Sequence, residues 1–177
     1  SEMGKALYSG VQFVHLNDDG LLDVVANSSG TNQAEFKFAF LNTLDGWSSA
    51  EQYIPPQPIY NPETESNAAK FADLNGDDVV YLSNPEIGPN TLINVGNGWS
   101  TPSTDYTPPV EIAKSKEGDK GVRFVDLNGD GLVDIVLHKE GAGESSSFIN
   151  SGQKWEPNKD YAPPKAISND KGDDLGA

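Results

Sequence analysis

The feature that most constrains this chain is one phrase written three times. "VQFVHLNDDGLLDVVA" (11–26), "AKFADLNGDDVVYL" (69–82) and "VRFVDLNGDGLVDIVL" (122–137) each set an acidic, glycine-bearing loop between two apolar runs. His15 and Asp73, the matching positions of the first two copies, lie 58 residues apart, and Asp73 and Asp126 lie 53 apart. A period of this size marks one supersecondary unit copied in tandem, whose copies bury a continuous core only by stacking on their neighbours. Each copy runs on to an asparagine and, five residues later, a tryptophan: Asn42 and Trp47, Asn94 and Trp99, Asn150 and Trp155. Each closes with a Tyr-x-Pro-Pro-x-x-Ile phrase, "YIPPQPI" (53–59), "YTPPVEI" (106–112) and "YAPPKAI" (161–167).

The apolar runs are short and rich in valine and isoleucine, they are bounded by turn residues, and no helix-length periodic segment interrupts them. The fold class is therefore all-β. In the third unit, strands are expected around Val122–Val125, Ile135–His138 and Ser146–Asn150, with a weaker fourth near the closing isoleucine. Proline pairs cannot sit in a central strand, so the Pro-Pro phrases are edges or connections. The economical architecture is three tandem four-stranded antiparallel blades of a β-propeller: residues 1–58, 59–112 and 113–167. "IAKSKEGDKGV" (112–122) aligns with "ISNDKGDDLGA" (167–177), so residues 168–177 read as the start of a truncated fourth repeat. Propellers close with about four to eight blades. Three blades make an incomplete ring, a fragment of a longer array, and imply self-association through exposed end blades.

The formal net charge is -15, which leaves little to neutralise phosphates and argues against a nucleic-acid partner. There is no cysteine, which excludes disulfides and thiolate metal sites. No apolar run is long enough to span a membrane. Much of the acidity falls in the repeated loops, where like charges close together call for a cation.

In "DLNGDGLVD" (126–134), counted from Asp126, side-chain oxygens fall at positions 1, 3, 5 and 9: Asp126, Asn128, Asp130 and Asp134. Leu132, at position 7, can offer its backbone carbonyl, and the intervening glycines let the loop curl. Hard oxygen donors on a tight loop suit calcium better than magnesium, which demands stricter octahedral geometry. The loop is not an EF-hand, because no bidentate glutamate follows and the exit is strand-like. The bland alternative is a polar turn, a common use of Asp, Asn and Gly. The first loop keeps Asn17, Asp19, Asp23 and the Leu21 carbonyl, but His15 replaces the leading aspartate and should weaken binding. The second keeps Asp73, Asn75 and Asp77 but lacks three residues, including the carbonyl donor, and is doubtful.

This grammar, "F-V-D-L-N-G-D-G-x-x-D" followed by an asparagine-to-tryptophan phrase, resembles the FG-GAP/VCBS repeat family over about residues 8–177. Members include integrin-α-like β-propellers, bacterial adhesins and toxin-complex or Rhs-type surface proteins. The resemblance implies calcium on Asp126, Asn128, Asp130, the Leu132 carbonyl and Asp134. It also implies a secreted or cell-surface location.

Among functions, an enzyme is disfavoured: His15 and His138 have no nucleophile pattern around them, and the acids follow metal-like spacing. The favoured reading is a non-enzymatic, calcium-stabilised repeat module mediating adhesion or protein–protein interaction, with a protein or glycan ligand on a cell surface. The alternatives are a lectin-like propeller using the three tryptophans, or a shell segment of a larger secreted, toxin-like protein. A tryptophan at a fixed blade position more often packs against a neighbour than binds sugar. Asn27-Ser28-Ser29 is a glycosylation sequon, a weak signal by itself.

Overall fold

The computed structural model describes residues 10–28, 36–61, 66–67, 69–76, 82–84, 88–101, 104, 106–110, 112–114, 118–119, 121–141, 145–171 and 175. Within these the chain is all-β, its only helical pieces being two single 3₁₀ turns, at Glu51–Tyr53 and Lys159–Tyr161. No helix among the described residues is long and apolar enough to cross a membrane.

The first unit is an antiparallel meander of β1 (Val11–Val14), β2 (Asp23–Ser28), β3 (Phe36–Thr43) and β4 (Gly46–Ser49). Alternation sorts its side chains onto two faces, since successive residues of a strand point oppositely. Val14, Val25 and Ala39 lie on the inner face. Phe13, Val24 and Phe40 stand in register across the other. A short pair, β5 (Tyr60–Asn61) and β6 (Ser66–Asn67), joins β2 in parallel at Ser28 and Tyr60. In the middle unit the described strands are a hairpin of β7 (Leu82–Asn84) and β8 (Gly88–Leu92). Another hairpin, β9 (Ala113–Lys114) with β10 (Gly118–Asp119), follows it. The third unit repeats the meander as β11 (Val122–Val125), β12 (Asp134–Leu137), β13 (Ser146–Asn150) and β14 (Trp155–Pro157).

The fourth strand is not where the sequence placed it. It carries the tryptophan, because the chain doubles back directly after the asparagine: Asn42 pairs with Trp47, Asn94 with Trp99 and Asn150 with Trp155. The closing isoleucine has another task. The Ile59 N–H donates to the Asn27 carbonyl and the Ile167 N–H to the His138 carbonyl, each at 2.8 Å. These bonds bring the Pro-Pro connection home against the second strand. The sequon also fails, because Asn27 is only 1% exposed and its amide donates to the Pro55 carbonyl.

The apolar core falls into two clusters, and each is a seam between units. In the first, Val14, Leu16 and Tyr53 of unit one and Ile59 at the junction meet Ala69, Leu92, Phe71 and Trp99 of unit two. In the second, Leu74, Tyr106 and Ile112 of unit two meet Val122, Phe124, Ile135, Phe148 and Trp155 of unit three. The first and third units are each built on one thin sheet, and both bury apolar side chains against the middle unit.

Candidate functional site

One position of the acidic loop does the same thing in the first and third units. Asp23 and Asp134 open the second strand of their meanders and are fully buried. Asp23 accepts from the Leu16 N–H and the Asn42 N–H, both at 2.8 Å. Asp134 accepts from the Leu127 N–H and the Asn150 N–H, again at 2.8 Å. Each carboxylate thus ties the start of its own loop to the end of the third strand. A buried charge is tolerated when its oxygens accept N–H bonds in this way, and removing it leaves two donors stranded.

The outer part of the loop differs. In the third unit the Asp126 carboxylate accepts from the Gly129 N–H at 2.7 Å and the Gly131 N–H at 3.1 Å. Asp130 accepts from the Leu132 N–H and from the Asn128 amide, while the Asn128 oxygen accepts from the Asp130 N–H. Gly129 and Gly131 sit at φ 80° and 87°, which turns their neighbours' N–H groups toward the carboxylates and is strained for other residues. Asp126, Asn128 and Asp130 are exposed on the rim. In the first unit Asp19 accepts from the Leu21 N–H and the Asn17 amide, as Asp130 does from Leu132 and Asn128, but His15 stands where Asp126 does. Its Nδ1 lies 3.0 Å from the Leu21 carbonyl; a carbonyl can only accept, so this nitrogen carries the proton. In the second unit Asp73 accepts from the Asn75 and Gly76 N–H groups, and Asp77 lies outside the described residues.

As a cation site, the third loop has suitable donor chemistry: its side-chain donors are all oxygens, their charge is entirely negative, and an oxygen accepting one N–H keeps a second lone pair. Its carboxylates are spread along the turn, and no three His, Asp or Glu side chains converge among the described residues. Asp126, Asn128, Asp130, the Leu132 carbonyl and Asp134 are the groups that would hold calcium, and of these Asp134 is the buried one, each of its oxygens already accepting one N–H. In the first loop the His15 ring already bonds the Leu21 carbonyl, one of the oxygens a cation would use.

Sequence reasoning missed the polar half of the seams. The Asn94 amide crosses to the Leu16 carbonyl and the Asn150 amide to the Leu74 carbonyl, each at 2.7 Å. The Tyr53 hydroxyl donates to the Gly96 carbonyl and the Tyr106 hydroxyl to the Gly152 carbonyl. Trp99 and Trp155 return the contact, donating their indole N–H to the Tyr53 and Tyr106 carbonyls at 3.0 and 3.3 Å. Two of the three tryptophans are therefore spent between units, which weakens a sugar site built on all three. The constant spacing of Asn, Trp and Tyr was the visible signal; the partners were not. His138 is also structural, with Nδ1 3.0 Å from the Pro163 carbonyl, where Asn27 reaches Pro55 in unit one.

No family model matches the chain, and no solved structure does. It is similar to a protein of Plasmodium falciparum (isolate 3D7) named T-cell immunomodulatory protein homolog. The two are 29% identical over 140 residues, covering 69% of this chain and 18% of that one. With the protein of the same name from Plasmodium yoelii yoelii it is 26% identical over 142 residues, covering 69% and 19%. The chain thus spans about a fifth of the length of these relatives, and it resembles a segment of them.

Proposed function

We propose that this chain is a non-enzymatic, calcium-stabilised repeat module of a secreted or cell-surface protein, built of propeller-type blades in the manner of FG-GAP/VCBS repeats. Its work is adhesion or protein–protein contact. The observation that carries the reading is the repeated clasp: Asp23 and Asp134 are buried in the same role, and the loop outside the third one is an open, all-oxygen rim. A fold of thin sheets that bury little core apiece gains from an ion that fixes a strand connection. When bound, calcium would supply charge neutralisation to Asp126 and Asp130. The Plasmodium relatives are named as homologues of a T-cell immunomodulatory protein, a name that bears on neither calcium nor adhesion.

Thermal melts in chelator, calcium and magnesium test this. Calcium at a hundred times its dissociation constant adds about 2.7 kcal/mol, or roughly 5–10 °C for a domain of this size. The rise should be selective over magnesium and absent in Asp126→Ala and Asp130→Ala. A midpoint indifferent to calcium would reduce the loop to a polar turn.

A further inference from the structure

Both seams are made by equivalent residues, so the chain itself shows what covers each face of a unit. On the leading face, Phe71 and Trp99 of unit two pack at 6.3 Å between ring centroids. Phe124 and Trp155 stand at the same positions in unit three. The matching pair in unit one is Phe13 and Trp47, which are 63% and 54% exposed. The amides show the same gradient: Asn94 and Asn150 are buried, and Asn42 is half-buried. On the trailing face, Val14 and Tyr53 are buried at 7% and 4%, whereas their counterparts Val125 and Tyr161 are 42% and 40% exposed. Leu16 and Leu74, whose carbonyls receive the seam amides, are buried at 1% and 4%; Leu127, at their position, is half-buried.

A groove of about 380 Å³ opens beside Asn42 on the leading face, with Leu21, Leu44 and Asp45 in its lining. In the second seam the corresponding space holds the preceding unit's acidic loop. There, a Cβ built on Gly76 would come within 3.4 Å of Leu132. On the trailing face the equivalent loop residue is Gly129.

We propose that the two ends are complementary halves of a third seam, so that a second copy of this chain docks head to tail, its trailing face on the leading face of the first. Asn42 and the Trp47 indole N–H donate to the Leu127 and Tyr161 carbonyls of the second copy. The second copy's Tyr161 hydroxyl donates to the Leu44 carbonyl, and Phe13 is covered by its Val125. The contact is heterologous, and such contacts grow into rings or open filaments instead of stopping at a dimer. Both faces are acidic, with Asp19 and Asp45 lining the groove and Asp126 and Asp130 on the incoming loop, so added salt strengthens the joint by screening. The proposal rests on the seams and not on calcium, and is therefore tested in chelator.

Sedimentation velocity of the whole chain from about 1 µM to about 500 µM spans the affinities open to such an interface. We expect mass growing past a dimer as concentration and salt rise. Asn42→Ala/Trp47→Ala disables the leading face and Tyr161→Glu the trailing face. Each variant alone should associate at least tenfold more weakly, and an equal mixture should recover a one-to-one dimer, because each keeps the half the other lost. Recovery on mixing also shows that both variants are folded. A wild-type chain monomeric throughout overturns the proposal. So does assembly indifferent to either substitution, and so does a dimer formed by one variant alone.

Discussion

The first and third acidic loops share an inner half and differ in the outer one. Asp23 and Asp134 are buried alike and bind the same two backbone N–H groups of their units. Outside them, the first loop closes on itself through His15 and Leu21, while the third leaves Asp126, Asn128 and Asp130 on an open rim. One aspartate of the repeat is therefore architectural, and the leading position, His15 or Asp126, is where the two loops part. Repetition by itself does not separate these two uses, because both are written in the same letters.

The largest effect should come from the shared half. In chelator, Asp23→Ala and Asp134→Ala each strand two N–H donors around a buried site and should cost about 2–4 kcal/mol. Asparagine at either position keeps one acceptor oxygen and should cost less than alanine. Urea unfolding measures both. Equal losses at 23 and 134 sustain the comparison. A harmless Asp134→Ala would break it and return that residue to the metal reading.

How much of this the sequence displayed depends on the range of the interaction. Val122–Val125 and Ser146–Asn150 were legible as strands because turn residues punctuate short β-branched runs locally, and the observed bounds are the same. The curl at Gly129 and Gly131 was legible for the same reason. The fourth strand was misplaced because a tryptophan in "GW" carries no period of its own; only its pairing with Asn42 or Asn150 makes it a strand. Asn150 and Leu74 are 76 residues apart, and no local pattern names such a partner. An imidazole is by type a poor calcium ligand; that the His15 ring reaches across to the Leu21 carbonyl depends on the folded loop.

A smaller change sharpens the contrast. His15→Asp gives the first loop the leading residue of the third and removes the bond from the ring to the Leu21 carbonyl. In chelator the loss should be about 1 kcal/mol, the usual net worth of one such bond. In calcium the variant should recover that loss and melt above its own chelator midpoint by more than the parent does. An identical calcium response in both proteins would show that the leading position does not govern the loop.

The last effect, of similar size, concerns the trailing faces of units one and two. Tyr53 and Tyr106 each donate a hydroxyl across a seam, so Tyr53→Phe and Tyr106→Phe should each cost about 1 kcal/mol. The two differ in setting. Burial, and then the negative charge of Asp23, push the Tyr53 hydroxyl above its ordinary value of 10.0. A group whose folded pKa exceeds its unfolded one gives stability that is complete below the unfolded value and is lost as pH rises through the folded one. Stability contributed by Tyr53 should therefore hold up to about pH 10 and fall above it. Tyr53→Phe should flatten that alkaline slope in urea unfolding followed from pH 8 to pH 11. An unchanged slope in the variant would mean that the proton-linked group lies elsewhere and that the first seam does not depend on a protonated hydroxyl.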